Sequence, residues 1–430
     1  MNQPLPPPTP DTAVTATTYT KIRNEIVAGG STHVNEPDER PDPLMAVVGI
    51  GAWVALFAVL ALLSWWFVAF VVGLLVSVFL HEVGHFLTAR RSGMKVTQFF
   101  MGFGPRVWSF HRNGVEYGLR LIPLGAFVRI IGMNALDEVE PGDEARTYRA
   151  STYPRKMWVI TAGSVMHMIL AMIMITGVYA VAGRLEESGQ VTIGAVLPDS
   201  AATDAGLQEG DVVTAVNGEP VVRADVFRAE IAAIPPGDTV VLDISRDGEP
   251  LQVTATLGKR SDGDPSRGYL GVRSESVDRV QKGPVEAVAL GASDLVTGVG
   301  QAITGIVKVV NPVNVWNHLV GNTDDPTTQP GTIVGATRIS DDIGRFDGWA
   351  GFFALLAAVN VSVGVFNMFP MLPLDGGHAA IATYERIRSR RGRPYVADVQ
   401  KLMPVVAVTV ALIAFMFLTG LYLDIVRPVR

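Results

Sequence analysis

His81-Glu82-Val83-Gly84-His85 decides the reading of this chain, because this H-E-x-x-H stretch lies inside a long apolar run and not on a half-polar surface helix. On a helix, positions four apart share a face, so both imidazoles can turn to one metal ion while Glu82 stands beside a water on that ion. The same five letters occur by chance, as two polar histidines on an ordinary helix. Here the flanks, Val76-Ser77-Val78-Phe79-Leu80 and Phe86-Leu87-Thr88, put the trio at membrane depth. An acid there costs roughly 2.5 to 3.5 kcal/mol on insertion scales, so idle ionisable groups are a poor explanation and a metal-dependent hydrolytic site a good one.

The rest of the composition agrees with a membrane setting. The chain has 430 residues, 48% of them hydrophobic, and a mean hydropathy of +0.30, high for a soluble protein. The formal charge of -6 comes mainly from the N-terminal tail and a central polar region. Lys and Arg cluster beside the apolar runs, so a lipid bilayer and no nucleic acid is the expected partner. The absence of cysteine excludes disulfides, thiolate metal sites and cysteine nucleophiles together.

Upstream of the metal motif, the run from Leu44 to Leu80 is nearly uncharged and longer than the ~20 residues one span needs. Ser64-Trp65-Trp66 falls where a membrane interface is expected, which gives two spans, 45 to 63 and 66 to 89, with one long kinked helix as the alternative. Residues 1–43, rich in Pro, Thr and Asp, read as a disordered leader and not as a secretory signal.

Downstream, Arg90, Arg91 and Lys95 open a basic loop, which the positive-inside rule makes cytoplasmic. It holds two strand-like segments, Met101 to Trp108 and Val115 to Gly125, joined by Arg112-Asn113-Gly114, a hairpin signal. A free edge on this hairpin, with Gly102, Gly104 and Gly125 as candidate substrate-binding positions, could hold an extended substrate by backbone pairing; a purely structural hairpin is the alternative. Met157 to Ala182 is the next span. A soluble-looking region follows, in which Ser200 to Gly218 carries S-x-A-x-x-A-G-L-x-x-G-D-x-V-x-x-V-N-G. This pattern resembles a PDZ domain, with Arg223 to Ile234 as its groove helix. Gly268-Tyr269-Leu270-Gly271-Val272 resembles its carboxylate-binding loop, placed last as in circularly permuted members. Leu270 and Gly271 would then receive a peptide or carboxy-terminus, with a steric filter as the other use. Pro284 to Val310 reads as an amphipathic helix, on the membrane surface or packed on the core.

Trp349 to Phe369 is another span, and it leads into Asn367-Met368-Phe369-Pro370-Met371-Leu372-Pro373-Leu374-Asp375-Gly376-Gly377-His378. An acid beside an apolar run is again expensive, and the prolines and glycines break the helix, so Asp375 reads as the third ligand. The arginines from Arg386 to Arg393 put this end on the same face as the first basic loop. Pro404 to Leu423 is the last span.

These motifs, in this order, resemble the site-2 protease family of intramembrane zinc metalloproteases, and most of all its actinobacterial branch that cuts anti-sigma factors. Gly102-Phe103-Gly104-Pro105, Val334-Gly335-Ala336 and Tyr384-Glu385-Arg386-Ile387-Arg388 fit as well. The resemblance runs from about residue 66 to the C-terminus. It implies Zn2+ held by His81, His85 and Asp375, with Glu82 as catalytic base and Asn367 and Pro370 near the substrate strand. It also implies a single-span membrane substrate of the anti-sigma-factor type, pre-trimmed outside, and a bacterial plasma membrane with the active site toward the cytoplasm and the PDZ domain outside. Two departures stand out: His167 occupies a position where the family usually has Asn, and Gly125-Ala126 replaces a double glycine.

The expected fold is a polytopic α-helical membrane protein with four core spans and an extra N-terminal span. A membrane-associated β-hairpin and an inserted α+β PDZ domain complete it. The expected parts are the leader (1–43), the extra span (44–63), the first half of the core (64–183), the PDZ domain (184–276), a connector (277–347) and the second half of the core (348–430). Two other classes would also place polar groups in such a chain: a catalytically silent PDZ scaffold, and an ion-coupled transporter. The transporter does not require His81, His85 and Asp375 to meet at one point with metal-ligand distances.

Overall fold

The computed structural model describes residues 43–133, 139–140, 142–259, 266–323, 325, 327–389, 395–397 and 399–426. The leader up to residue 42 and the basic positions Arg390, Arg391 and Arg393 lie outside the described residues. The chain divides into two compact units, Met1–Thr176 with Val288–Arg430, and Gly177–Ala287.

The first unit begins with two apolar helices, α1 (Pro43–Leu63) and α2 (Trp65–Arg91). They are separate helices and not one kinked rod, because Ser64 takes an extended backbone (φ −165°, ψ 141°) and its side chain accepts from the Trp66 N–H. That hydroxyl also donates to Asp341, so one residue both caps α2 and ties it to a distant helix.

After α2 comes the hairpin, β1 (Val96–Arg112) and β2 (Val115–Ile130), turned at Asn113-Gly114 with positive φ at both residues. It is longer than the sequence implies and folded on itself. Gln98 to Met101 pair with Arg129 to Ala126 on one side and with Glu116 to Leu119 on the other, while Trp108 to Arg112 pair with Leu119 to Val115. Gly102, Gly104 and Gly125, all at positive φ, lie where the two long strands bend. The outer edges are therefore Ala126 to Ile130 and Trp108 to Arg112. Helix α1 rests on this sheet, where the Trp53 indole donates to the Arg120 carbonyl at 3.2 Å.

Helix α3 (Tyr153–Val181) follows, and its last turn enters the second unit. There β3 (Arg184–Val196), a short α4 (Ala201–Asp204), β4 (Val212–Val216), α5 (Ala224–Ala233), β5 (Thr239–Arg246), β6 (Glu249–Thr256) and β7 (Val272–Val280) form one sheet with its helices. The main strand order is β7-β3-β4-β5-β6. Val191, Ile193, Phe227, Leu242 and Ile244 fill its core. The unit is wider than 184–276, because β7 runs on to pair Val280 with Arg184, and the Lys282 N–H reaches the Tyr179 carbonyl. Strand β7 is an edge, and Arg228 of α5 donates to its Ser274 carbonyl at 3.2 Å.

In the last part of the chain, α6 (Pro284–Val310) joins the five expected spans among the six helices of the described residues that are long and apolar enough to cross a membrane. Its Leu295, Val299 and Ala302 pack on Ala171 of α3 and on Ala357 and Val361, so it is a packing helix. The connector also contains α7 (Pro312–Val320) and the start of α8 (Ile333–Asn367), where Gly348 (φ 60°, ψ −148°) marks a kink one residue before the expected span. Above that kink Trp66 meets Trp349 and Phe352, with ring centroids 4.7 and 5.5 Å away, contacts worth about 0.5 to 1.5 kcal/mol each.

Helices α9 (Asp375–Arg388) and α10 (Met403–Val426) close the chain. The buried Asp424 of α10 accepts from the Thr332 and Gly335 N–H groups, and so neutralises the donor end of α8.

Two outcomes follow. In this cysteine-free chain, Val107→Cys should label slowly, since Val107 is 3% exposed; adding Trp53→Ala should loosen α1 and speed the labelling. In the second unit, Arg246 forks onto Asp211 at 2.7 and 2.8 Å, with the Gln208 N–H at 2.8 Å. Burial raises the Asp211 carboxyl, and these bonds outweigh it, so it titrates below the ordinary aspartate value. A depressed value stabilises the fold above the unfolded-state pKa, and the gain disappears as pH falls through the folded one. Asp211→Asn should therefore cost about 2 kcal/mol of amide-exchange protection in β4 and β5 at neutral pH, and far less in strong acid.

Candidate metal centre

Two helices bring the centre together. On α2, His81 and His85 lie one turn apart and both are 6% exposed. Asp375 is the first residue of α9, reached after the chain leaves α8 at Asn367 and turns through Met371 to Leu374. A shared core of Ala89, Val96, Ile130, Val159, Ile160, Ala379 and Ala382 sets α2, the hairpin, α3 and α9 around the site.

The ligand atoms converge. His81 Nε2 and His85 Nε2 are 3.0 Å apart, and each lies 3.4 Å from Asp375 Oδ2. Atoms bound to one tetrahedral zinc at 2.0–2.1 Å stand about 3.3 Å from one another, so this triangle fits the ion. Asp375 Oδ2 is buried and makes no hydrogen bond, a costly arrangement for an acid that has no cation to serve. His85 is oriented from behind, its Nδ1 donating to the Val159 carbonyl at 2.8 Å. A pathway lining for ions would not need such a meeting of three ligand atoms at one point.

Glu82 stands beside the triangle, its Oε1 4.0 Å from His81 Nε2. The Val128 backbone faces its carboxylate, which puts the outer hairpin edge Ala126 to Ile130 next to the acid. Gly125 begins that edge, whereas Gly102 and Gly104 lie at the other bend. Asn367, half-buried, ends α8, and Pro370 is exposed in the following turn. His378 is not in the ligand cluster. In the second unit Leu270 is buried in the core at 2% exposure, and Gly271 (φ +82°) passes close against Ser200.

On the wall of the site, sequence reasoning marked His167 as a departure from the family pattern and missed its partner Asn360. His167 of α3 lies beside His81, ring centroids 5.0 Å apart, and its Nδ1 bonds Asn360 Oδ1 at 2.8 Å. Asn360 was findable, as an amide in the middle of an apolar span. Gly163 closes the wall: a methyl group there would overlap the imidazoles of both His81 and His85. Gly163→Ala should therefore lower the metal bound per purified chain, read by elemental analysis, while the far-ultraviolet dichroism stays unchanged.

Comparison with known proteins gives a consistent picture. The model of peptidase family M50 matches residues 69–414. The zinc metalloprotease Rip1 of Mycobacterium tuberculosis is 32% identical over 400 residues, spanning 84% of this chain and 98% of that protein. Rip1 of Mycolicibacterium smegmatis is 33% identical over 408 residues, with 84% and 97% covered. A putative zinc metalloprotease of Agrobacterium fabrum is 27% identical over 368 residues, with 81% and 92% covered. Among solved structures, the PDZ domain of an SdrC-like protein from Listeria monocytogenes aligns at 24% identity, covering 21% of this chain and 92% of that one, with a TM-score of 0.19.

Proposed function

The chain belongs to peptidase family M50, and on that premise we propose that His81, His85 and Asp375 hold its zinc while Glu82 serves as the base for cutting a peptide bond within the membrane. It is a zinc metalloendopeptidase and a multi-pass membrane protein. The observation that carries the residue assignment is the triangle of two Nε2 atoms and a buried, otherwise unbonded carboxylate oxygen.

Held by these three residues, zinc would supply a Lewis acid that acidifies a water and polarises the scissile carbonyl. Glu82 takes a proton from the attacking water and returns it to the departing amine. The Val159 carbonyl keeps His85 in the tautomer that presents Nε2, and the apolar core under the site excludes bulk water.

A transmembrane helix shields its peptide bonds, so the substrate must unwind beside Glu82. The edge Ala126 to Ile130 offers backbone groups to such a strand, with Val128 nearest the acid and Gly125 at the entrance. Asn367 at the end of α8 and Pro370 in the turn after it are the further candidate contacts for the substrate strand. The substrate class is a single-span membrane protein, of which an anti-sigma factor already trimmed outside is the specific form. Arg90, Arg91 and Lys95 after α2, and Arg386 and Arg388 at the end of α9, favour a cytoplasmic face for the site, with the inserted unit outside a bacterial plasma membrane.

For that unit, the edge of β7 beside α5, with Leu270 and Gly271 at its head, is the place for a peptide or carboxy-terminus. The Arg228 bond to Ser274 favours a second reading, a steric filter, because it ties helix to edge strand where a peptide would enter.

Glu82→Gln should leave the protein inserted and zinc-loaded yet unable to cut a tethered single-span reporter. Persistent cutting would remove Glu82 from the reaction. Asp375→Ala should lose the metal and the activity together.

A further inference from the structure

Buried hydrogen bonds behind the metal triangle fix the state of a residue that the hydrolysis above does not use. Ser77 Oγ donates to the Gly73 carbonyl at 2.8 Å, so its oxygen is left to accept, which it does from Asn360 Nδ2 at 3.1 Å. The second hydrogen of that amide goes to the Leu356 carbonyl at 2.8 Å. Both donors of Asn360 are then committed, and its Oδ1, 2.8 Å from His167 Nδ1, can only accept. His167 Nδ1 therefore carries hydrogen, and in the neutral ring Nε2 is a bare acceptor. Ser77, Asn360 and His167 are all 1–2% exposed, so no bulk solvent reshuffles these bonds.

The neighbouring ring has the complementary need. His81 turns Nε2 to Asp375 and His85, which leaves its hydrogen on Nδ1, and that buried atom has no hydrogen-bond partner. A ligating imidazole ordinarily donates its other N–H to an acceptor that sets its angle and basicity. His85 has one in Val159, and His81 does not.

We infer that His167, whose ring lies 5.0 Å from that of His81 between centroids, is the positioning residue for His81, its Nε2 accepting the His81 Nδ1 hydrogen through one water, with Ser77 and Asn360 holding His167 in the required tautomer. The inference rests on His81 being a zinc ligand, as proposed above. It gives His167 a task that an apolar residue of equal size could not perform.

The test is zinc affinity, measured by chelator competition on the full chain in detergent or nanodiscs, for the wild type, His167→Phe and His167→Gln. The phenylalanine keeps the ring and lacks an acceptor, and the glutamine retains an acceptor near the Nε2 position. His167→Phe should weaken zinc binding about 10- to 100-fold, His167→Gln should stay near wild type, and nitrogen NMR of labelled histidines should find hydrogen on His167 Nδ1. Unchanged affinity in His167→Phe would assign His81 to the Gly163 carbonyl, which also faces its ring, and overturn the inference. Equal losses in both variants would make His167 a packing residue, and hydrogen on His167 Nε2 would defeat the tautomer argument. A wild-type chain that binds no zinc would sink the metal site itself, a failure distinct from all of these.

Discussion

The cost of taking imidazoles and carboxylates out of water governs this molecule. His81, Glu82 and His85 on α2 and Asp375 at the head of α9 have few ways to offset that cost inside an apolar bundle, and a shared cation would satisfy them together. Their convergence requires α2 to pass α3 at Gly163 and requires the chain to stop being helical between α8 and α9. The arrangement of the core around the site follows from those two demands.

Polar groups away from the site obey the same rule. Ser64 answers Asp341, Asp424 answers the open N–H groups at the start of α8, and Asn360 is consumed by Ser77, Leu356 and His167. Apart from the Asn360 bond to Leu356 within α8, these links join helices far apart in sequence, so the bonds that neutralise buried polarity also set which helices are neighbours. Aromatic contacts such as Trp66 with Trp349 add packing between elements that are already brought together.

This explains what was legible in advance. An ionisable residue at membrane depth is conspicuous in a sequence, and His81, Glu82, His85 and Asp375 were singled out that way. The break at Ser64 followed from a count of residues and a pair of tryptophans. Helix α6 was read as amphipathic, on the membrane surface or packed on the core, because Glu286, Asp294 and Lys308 lower its hydropathy toward that of a surface helix. The doubled pairing of Gln98 to Met101 was invisible, since alternation reveals a strand and not how many neighbours it acquires. His167 was in view and Asn360 was not, since an amide costs less to bury than an acid, and only the fold shows which partners each one has.

The lone sheet edge beside Glu82 has a consequence for selectivity. Pairing of a substrate along that edge, as proposed, would recognise the peptide group common to all residues, so discrimination among candidate chains would pass to how cheaply each surrenders its own helical bonds near the acid. Segments weakened by glycine, proline or β-branched residues would be favoured over uniform leucine helices of equal length. Such an enzyme would sort its clients by mechanical softness more than by any consensus of side chains.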